Sequence, residues 1–87
     1  MRSTDDHIYI ANKPAEAYAV AVLTSFSHGI KRVRIQGLGQ QAGKVLAVAK
    51  LLSDTGQARI VEIKPITKEG IKGTLATLEV IGDERNP

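Results

Sequence analysis

The sequence contains no cysteine and no tryptophan, and aromatic residues make up only 3% of its 87 positions. Without cysteine, the chain cannot form disulfides, thiolate zinc sites, iron–sulfur clusters or a thiol nucleophile. Platforms for single-stranded nucleic acid need several aromatic side chains in one place. We therefore expect neither a disulfide-stabilised secreted scaffold nor recognition dominated by base stacking.

Long apolar runs and clustered catalytic side chains are also missing from the sequence. No stretch reaches 18 consecutive apolar residues, so no membrane span is expected, and residues 1–6 do not resemble a signal peptide. The two histidines, His7 and His28, have no neighbour at metal-ligand spacing, and no carboxylate pair or nucleophile motif is present. The sequence therefore predicts no enzyme, no cofactor and no metal site.

The length and the hydrophobic content together predict one small folded domain. A chain of 87 residues has room for a single domain, and a domain of this size gains stability from association with a second copy. Its hydrophobic content of 43% is too high for a disordered basic tail. We predict a domain over residues 7–82, with flexible tails over residues 1–6 and 83–87.

Positive charge exceeds negative charge along the chain, with 12 Lys and Arg against 9 Asp and Glu, a net charge of +3. Each predicted tail carries a net −1, which leaves ten basic and five acidic groups, a net +5, on residues 7–82. Such an excess favours an anionic polymer as partner, although many proteins carry a similar excess without one.

Hydrophobic patterning predicts four strands and two helices in the order βαβαββ. Runs rich in β-branched residues predict strands at 7–11, 31–36, 58–66 and 74–81, the last two forming a hairpin. Pro14 begins a predicted first helix with Lys13 as its N-cap, and the helix ends at His28-Gly29. Positions 42, 45, 46, 48, 49 and 52 form the apolar face of a second helix.

The predicted fold class is α/β. The element order indicates a two-layer sandwich in which two helices cover one face of a four-stranded mixed sheet. Pro65 lies near the end of the third strand and cannot donate to a sheet ladder. We therefore expect the third strand to be an edge strand or part of a projecting arm.

Three segments of the sequence could contact phosphate groups. Asn12-Lys13-Pro14 places a lysine beside the free N–H groups of a helix start, and Gly37-Leu38-Gly39 presents backbone amides at the start of the second helix. The predicted hairpin carries Lys64, Lys68 and Lys72, and a basic β-ribbon can enter a groove of DNA. Each segment also has a structural alternative: a solvated lysine at a proline-started helix, packing glycines, and lysines that protect a sheet edge.

The spacing Gly37-x-Gly39-x-x-Ala42 also matches the dinucleotide-binding fingerprint. However, it follows the second βα unit rather than the first, and 87 residues cannot supply two mononucleotide-binding halves. About twenty residues further on, Arg59 and Ile60 stand where an acidic ribose ligand is required. A dinucleotide site is therefore not predicted.

Several of these motifs occur together in an order that one known family shares. They are Ile8-Tyr9-Ile10-x-Asn12-Lys13-Pro14-x-x-x-Tyr18, then Ala21-Val22-Leu23-Thr24, then Val33-Arg34-Ile35-Gln36-Gly37-x-Gly39-x-x-x-x-Lys44, with the hairpin segments Val61-Glu62-Ile63 and Thr77-Leu78-Glu79-Val80. This succession resembles the archaeal chromatin protein family Alba, and the likeness covers about residues 7–82.

The resemblance implies a homodimer, or a heterodimer with a paralogue, that binds double-stranded DNA and often RNA without sequence preference. It implies a cytoplasmic protein that is associated with the chromosome or nucleoid. Such a protein has no cofactor, no membrane association and no catalytic activity. Lys13 is the position where the resemblance implies acetylation. The implied nucleic-acid-binding residues are Asn12, Lys13, Gly37, Leu38, Gly39, Gln40, Lys44, Lys64, Lys68 and Lys72.

The sequence departs from the family pattern at the glycine turn and at two other places. Leu38 and Gln40 stand where members commonly carry arginine, and Asn12 replaces the first lysine of a pair. The aromatic residue that members often carry near the end of helix two is absent around Thr55-Gly56. Because fewer charges would release fewer counterions, we expect weaker and less salt-dependent binding. An alternative is a diverged paralogue specialised for structured RNA or for a protein partner that contacts an exposed Leu38.

Overall fold

The computed structural model describes residues 5–81, which form one four-stranded sheet and two helices. The strands are β1 (Asp5–Tyr9), β2 (Arg32–Leu38), β3 (Ala58–Lys68) and β4 (Ile71–Val80), in the sheet order β1-β2-β4-β3. β1 is parallel to β2, whereas β4 is antiparallel to both β2 and β3. The helices are α1 (Ala15–Ser27) and α2 (Ala42–Asp54), and a short 3-10 turn, Gly39–Gln41, precedes α2. The predicted fold class and element order are confirmed.

The core lies between the helices and one face of the sheet. In β2, Val33 and Ile35 alternate with more exposed residues and are fully buried against the helices, as the period of two requires. Burying a side chain of this kind contributes about 1.5–3 kcal/mol. The largest fully buried side chains are Val22 of α1, Val33 and Ile35 of β2, Val45, Val48 and Leu52 of α2, and Leu78 of β4. The predicted apolar face of the second helix is wrong at Leu46, which is 46% exposed.

The first strand begins two residues earlier than predicted. Asp5 pairs with Arg32 in the parallel ladder, and Asp6 accepts a 2.7 Å hydrogen bond from the Ser25 hydroxyl of α1. These two acidic residues therefore belong to the folded part, which then holds ten basic and seven acidic groups, a net +3 rather than +5. Residues 1–4 and 82–87, which contain the rest of the predicted tails, lie outside the described residues.

The first helix begins one residue later than predicted. Pro14 is its N-cap, with an extended ψ of 155°, so Lys13 precedes the cap instead of forming it. The helix ends as predicted, with His28 as C-cap and Gly29 at a φ of 95°. Lys13 is consequently part of the loop that connects β1 to α1.

The hairpin of β3 and β4 is longer than predicted, because most of the expected loop at 67–73 is strand. A two-residue turn of Glu69 and Gly70, with φ values of 51° and 82°, joins the strands. Two consecutive positive φ values match the twist of the flanking strands and allow such a tight connection. β3 is an edge strand, as Pro65 predicted, and its register shifts between Ile60 and Glu62.

Gly37 lies inside β2 and not in the predicted turn. After β2 the chain folds back, so that Gln41 and Val45 lie close over Gly37. A Cβ at this position would lie 2.6 Å from the carbonyl oxygen of Gln41 and 2.9 Å from Cγ2 of Val45. Gly39 supplies the positive φ of 58° that turns the chain out of β2. The structure thus gives the first glycine a packing role and the second a conformational one.

We predict that Gly37→Ala lowers the free energy of unfolding by about 1–3 kcal/mol, because backbone on one side and the core on the other prevent relief of the clash. Gly43→Ala is the matched control, since a Cβ there meets nothing within 4 Å. In the helix, that change should leave stability unchanged or raise it by up to about 1 kcal/mol. Chemical denaturation at one fixed protein concentration measures both, and equal stabilities for the two variants would contradict the packing role.

Candidate nucleic-acid interface

The β1–α1 loop, residues 11–13, is held in place by a tyrosine from the first helix. The Tyr18 hydroxyl accepts hydrogen bonds from the backbone N–H groups of Ala11, at 2.8 Å, and Lys13, at 3.2 Å. Tyr18 is only 7% exposed, so its ring packs in the core while its hydroxyl reaches the loop. Its position follows from the sequence, because it stands four residues after Pro14 and therefore one turn above the helix start.

Lys44 of α2 binds the same loop from the other side. Its Nζ donates to the carbonyl oxygen of Ala11 at 3.0 Å and to that of Lys13 at 2.6 Å, and it lies 6.0 Å from the centroid of the Tyr18 ring. An ammonium group has three N–H donors, so at most one remains for a ligand. In this structure Lys44 supports the loop, and its contact with nucleic acid, which the family resemblance implied, stays a prediction.

A pair of side-chain amides connects the loop to the turn before α2. Gln41 Nε2 donates to Asn12 Oδ1 at 3.2 Å. This hydrogen bond places the β1–α1 loop near the glycine turn. An open groove of about 300 Å³ lies between the loop and the turn, and Asn12, Gly37 and Leu38 help to line it. Two of the three segments predicted from sequence are thus brought together.

The residues of the glycine turn differ in exposure. Gly39 and Gln40 are exposed, whereas Leu38 is partly buried and its Cδ2 covers Gly73 of β4. Leu38 is therefore not the exposed side chain that the sequence suggested, because β2 extends through this residue and pairs it with Gly73; its role as a contact residue stays a prediction. Gln40 remains available to a ligand.

The three lysines of the hairpin are all exposed but lie on both of its faces. Lys64 and Lys68 pair with Leu75 and Ile71, which places them on the sheet face opposite the helices. Lys72 pairs with Thr67 and belongs to the other face. The hairpin therefore presents positive charge on both of its faces.

Two carboxylates form ion pairs with three arginines of the open sheet face. Glu79 accepts from Arg32 Nη2 and Arg59 Nη2, both at 2.9 Å, and Asp5 lies 3.5 Å from Arg34. The hydrogen bonds from Arg59 and Arg32 lower the pKa of Glu79, and the hydrogen bond with Glu79 raises the pKa of Arg32. Within residues 5–81, these arginines are thus engaged in ion pairs, and the side chains without a charged partner are mainly lysines.

Lys13, Lys64 and Lys72 form no side-chain hydrogen bond, ion pair or ring contact within residues 5–81. Lys68 has one such contact, over the ring of Tyr9 at 5.8 Å. Tyr9 is 59% exposed, stacks on His7 with ring centroids 4.6 Å apart, and lines the groove together with Gln41. Sequence reasoning did not include Tyr9 and Gln41 in the site, although the period of β1 indicated an outward Tyr9.

Other site chemistries find no support in the part of the chain that the structure describes. No group of three or more His, Asp or Glu side chains in residues 5–81 could hold a metal ion. Neither of the two described helices has the length and apolar character needed to cross a membrane.

Comparisons with known proteins identify similar chains. A profile of the family Alba matches residues 6–69. The chain is 28% identical to the DNA/RNA-binding protein Alba of Pyrobaculum neutrophilum, over 91% of this chain and 95% of that protein. It is 32% identical to the DNA/RNA-binding protein Alba 2 of Methanopyrus kandleri, over 68% of this chain and 62% of that protein.

Solved structures show the same fold at low sequence identity. ALBA1 from Trypanosoma brucei matches with a TM-score of 0.82 and 12% identity, covering 91% of this chain and 74% of that one. Alba from Thermoplasma volcanium matches with a TM-score of 0.60 and 22% identity, covering 85% of this chain and 94% of that one. The two-layer arrangement is therefore shared by chains that differ at most positions.

We predict that Tyr18→Phe lowers the free energy of unfolding by about 1–2 kcal/mol, because it removes the acceptor of two backbone N–H groups and keeps the buried ring. The amide hydrogens of Ala11 and Lys13 should exchange faster, which hydrogen-exchange NMR measures. Tyr9→Phe is the matched control, since the Tyr9 hydroxyl makes no hydrogen bond within residues 5–81. Unchanged exchange at Ala11 and Lys13 in the Tyr18 variant would contradict the assigned role.

Proposed function

The chain belongs to the Alba family, as its motifs predicted, and we propose on that basis that it binds double-stranded DNA and RNA as a homodimer. In this proposal, lysines and backbone amides contact phosphates without sequence preference, and the protein has no catalytic activity. The observation that carries the proposal is the β1–α1 loop, where Tyr18 and Lys44 fix the backbone around the exposed Lys13. The names of the similar proteins, which describe DNA and RNA binding, support it.

The mode of binding follows from which charges are available. Lys13 on the loop and Lys64 and Lys72 on the hairpin are exposed and uncommitted, so they can exchange counterions for phosphates. Lysine is a point charge on a flexible stem and carries little base information. Phosphate contacts set position on the nucleic acid without reading its sequence. Binding of this kind suits an architectural role on the chromosome.

Affinity for duplex DNA is expected to be moderate. The exposed Gln40 and the partly buried Leu38 supply no charge at the turn, where the family resemblance implies arginines. This observation favours a second candidate function, a diverged paralogue that binds duplex DNA weakly and is specialised for structured RNA or a protein partner. Gln40→Arg separates the two, because a gain in duplex affinity would show that the missing charge limits DNA binding.

The homodimer is proposed to form through the outer surface of α2 and the adjacent β3. Ile63 pairs with the buried Ala76, so it lies on the helix-covered face, yet it is 45% exposed. Val61 at the register shift is 50% exposed, and Leu46 and Leu51 of α2 are 46% and 36% exposed. Apolar surface concentrated on two adjacent elements of a small domain is typical of an interface. A paralogue with the same surface could replace one copy.

Regulation through Lys13 is part of the proposal. Acetylation would remove its charge, and its side chain is exposed and uncommitted, so the modification would leave the loop supports Tyr18 and Lys44 intact. The proposed location is the nucleoid in the cytoplasm, because an architectural protein of this kind acts on the chromosome.

We predict that the chain binds duplex DNA and duplex RNA at micromolar protein concentration. The logarithm of the association constant should fall linearly with the logarithm of the salt concentration, with a slope of about −0.9 for each phosphate contact. Lys13→Gln should make this slope shallower, because it removes a phosphate contact. Lys44→Gln should weaken binding with little change of slope, because Lys44 acts through the loop. Fluorescence anisotropy across a salt series measures these effects.

The control for this titration is Lys50→Gln, since Lys50 forms an i,i+4 ion pair with Asp54 on α2, away from the loop and the hairpin. It should leave affinity and slope unchanged. The absence of binding to either duplex at micromolar protein and about 50 mM salt would reject the proposed function.

We predict that the wild-type chain has twice the mass of one chain in solution and that Ile63→Glu shifts it to a monomer, because a charge cannot be buried unpaired in the interface. Multi-angle light scattering after size exclusion measures the mass. Val20→Glu on α1, which alters a residue that is 61% exposed, is the control and should remain dimeric. A monomeric wild-type chain would contradict the proposed dimer.

A further inference from the structure

The groove between the β1–α1 loop and the glycine turn has the size and lining of a small-ligand site. Its volume of about 300 Å³ is at the lower end of the range of ligand pockets, which begins near 300 Å³. Tyr9 and Asn12 line it from one part of the chain, and Gly37, Leu38 and Gln41 line it from the other. The lining thus combines an aromatic ring, apolar surface and side-chain amides.

Tyr9 presents an exposed aromatic ring at this groove. The ring lies parallel to that of His7, with 3° between the planes, and His7 Nε2 is 3.0 Å from Gln36 Oε1. The stack on His7 fixes the orientation of the Tyr9 ring, and 59% of Tyr9 remains exposed. A flat aromatic surface fixed in this way is suited to stack a further planar group.

The Lys68 ammonium group, 5.8 Å from the centroid of the Tyr9 ring, does not prevent such stacking. A cation over an exposed ring changes an equilibrium constant by about two- to fivefold, whereas a stacked base changes it by about fivefold to a hundredfold. A base would therefore displace Lys68 from the ring. Lys68 could then contact the phosphate of the same nucleotide.

The amide pair of Asn12 and Gln41 adds hydrogen-bonding capacity beside the ring. Their single mutual hydrogen bond uses Gln41 Nε2 and Asn12 Oδ1. The side-chain N–H groups of Asn12 (Nδ2) and the side-chain oxygen of Gln41 (Oε1) have no hydrogen-bond partner within residues 5–81. An adjacent donor and acceptor match the edge of a nucleobase.

We propose that this groove binds one unpaired nucleobase of structured RNA, stacked on Tyr9 with its edge at the Asn12–Gln41 pair. The proposal rests on the proposed nucleic-acid binding and adds a preferred substrate class. An unpaired base is required because the bases of an RNA duplex are stacked on one another inside the helix, so their faces cannot stack on Tyr9.

The composition of the chain limits the site to a single base. Of its three aromatic side chains, Tyr18 is buried and Phe26 is partly buried against the core. Among the Phe and Tyr side chains of the described residues, Tyr9 is thus the one that is exposed. A bulge in otherwise paired RNA fits this arrangement, because the flanking duplex can meet Lys13 and the hairpin lysines while one base enters the groove.

The test compares an RNA hairpin that carries one bulged nucleotide with the same hairpin without the bulge. The wild-type protein should bind the bulged hairpin at least about fivefold more tightly. Tyr9→Ala should abolish this preference and keep the affinity for the paired hairpin, and Tyr9→Phe should retain the preference. Fluorescence anisotropy at one salt concentration measures the affinities, and circular dichroism checks that the variants are folded.

A second measurement requires only the wild-type protein. With 2-aminopurine at the bulge, binding should quench its fluorescence through stacking, whereas 2-aminopurine at a paired position should show little change. Equal affinities for the two hairpins, or an unquenched bulged base, would overturn the base site while the proposed nucleic-acid binding stands. Failure to bind either hairpin would reject the proposed function as well.

Discussion

The arrangement of the candidate site depends on how the backbone of the β1–α1 loop is satisfied. Ala11 and Lys13 each have an N–H group bonded to the Tyr18 hydroxyl and a carbonyl oxygen bonded to the Lys44 ammonium. One support comes from α1 and the other from α2, so the loop is positioned by the same helices that cover the sheet. Since neutral backbone groups in a loop are otherwise left to water, these four bonds are what fix Lys13 and Asn12 relative to the rest of the fold.

The electrostatics of the molecule follow from which cations already have partners. Glu79 binds Arg32 and Arg59, Asp5 lies against Arg34, and the loop occupies Lys44. The net charge of +3 therefore describes the available charge poorly, because the strongest hydrogen-bond donors of the chain are engaged internally. The lysines that remain stand on the β1–α1 loop and on the hairpin, where their side chains are exposed.

Sequence patterns predicted the fold well because they report which residues must be buried. The alternation around Val33 and Ile35 and the helical spacing of Val45, Val48 and Leu52 correspond to one continuous core. Patterns were less informative where polar contacts decide the structure. Asp6 looks like tail sequence, yet Ser25 binds it, and Leu46 fits a helical stripe but points away from the sheet.

In the candidate site, too, sequence patterns predicted which lysine side chains are exposed but not which specific contacts the site residues make. The exposure of Lys13 and of the hairpin lysines could be predicted, because an exposed lysine needs no specific partner. The role of Lys44 could not, since its partners are carbonyl oxygens 31 and 33 residues away in sequence and no residue type reveals them. The exposed ring of Tyr9 beside the groove is a local property, which a count of aromatic residues over the whole sequence does not report.

The contact between the glycine turn and the hairpin relates the missing charges to the shape of the site. A Cβ at Gly73 would meet the Gly37 carbonyl oxygen and Leu38 Cδ2, so two glycines and a leucine allow β2 and β4 to approach closely at the base of the hairpin. Leucine at position 38 places its side chain over Gly73, whereas an arginine there would extend a charged group toward solvent. The chain therefore has less charge at the turn but more contact between the turn and the hairpin. The close approach of β2 and β4 at this point depends on Gly37, Leu38 and Gly73 together, so the residue at position 38 affects packing as well as charge.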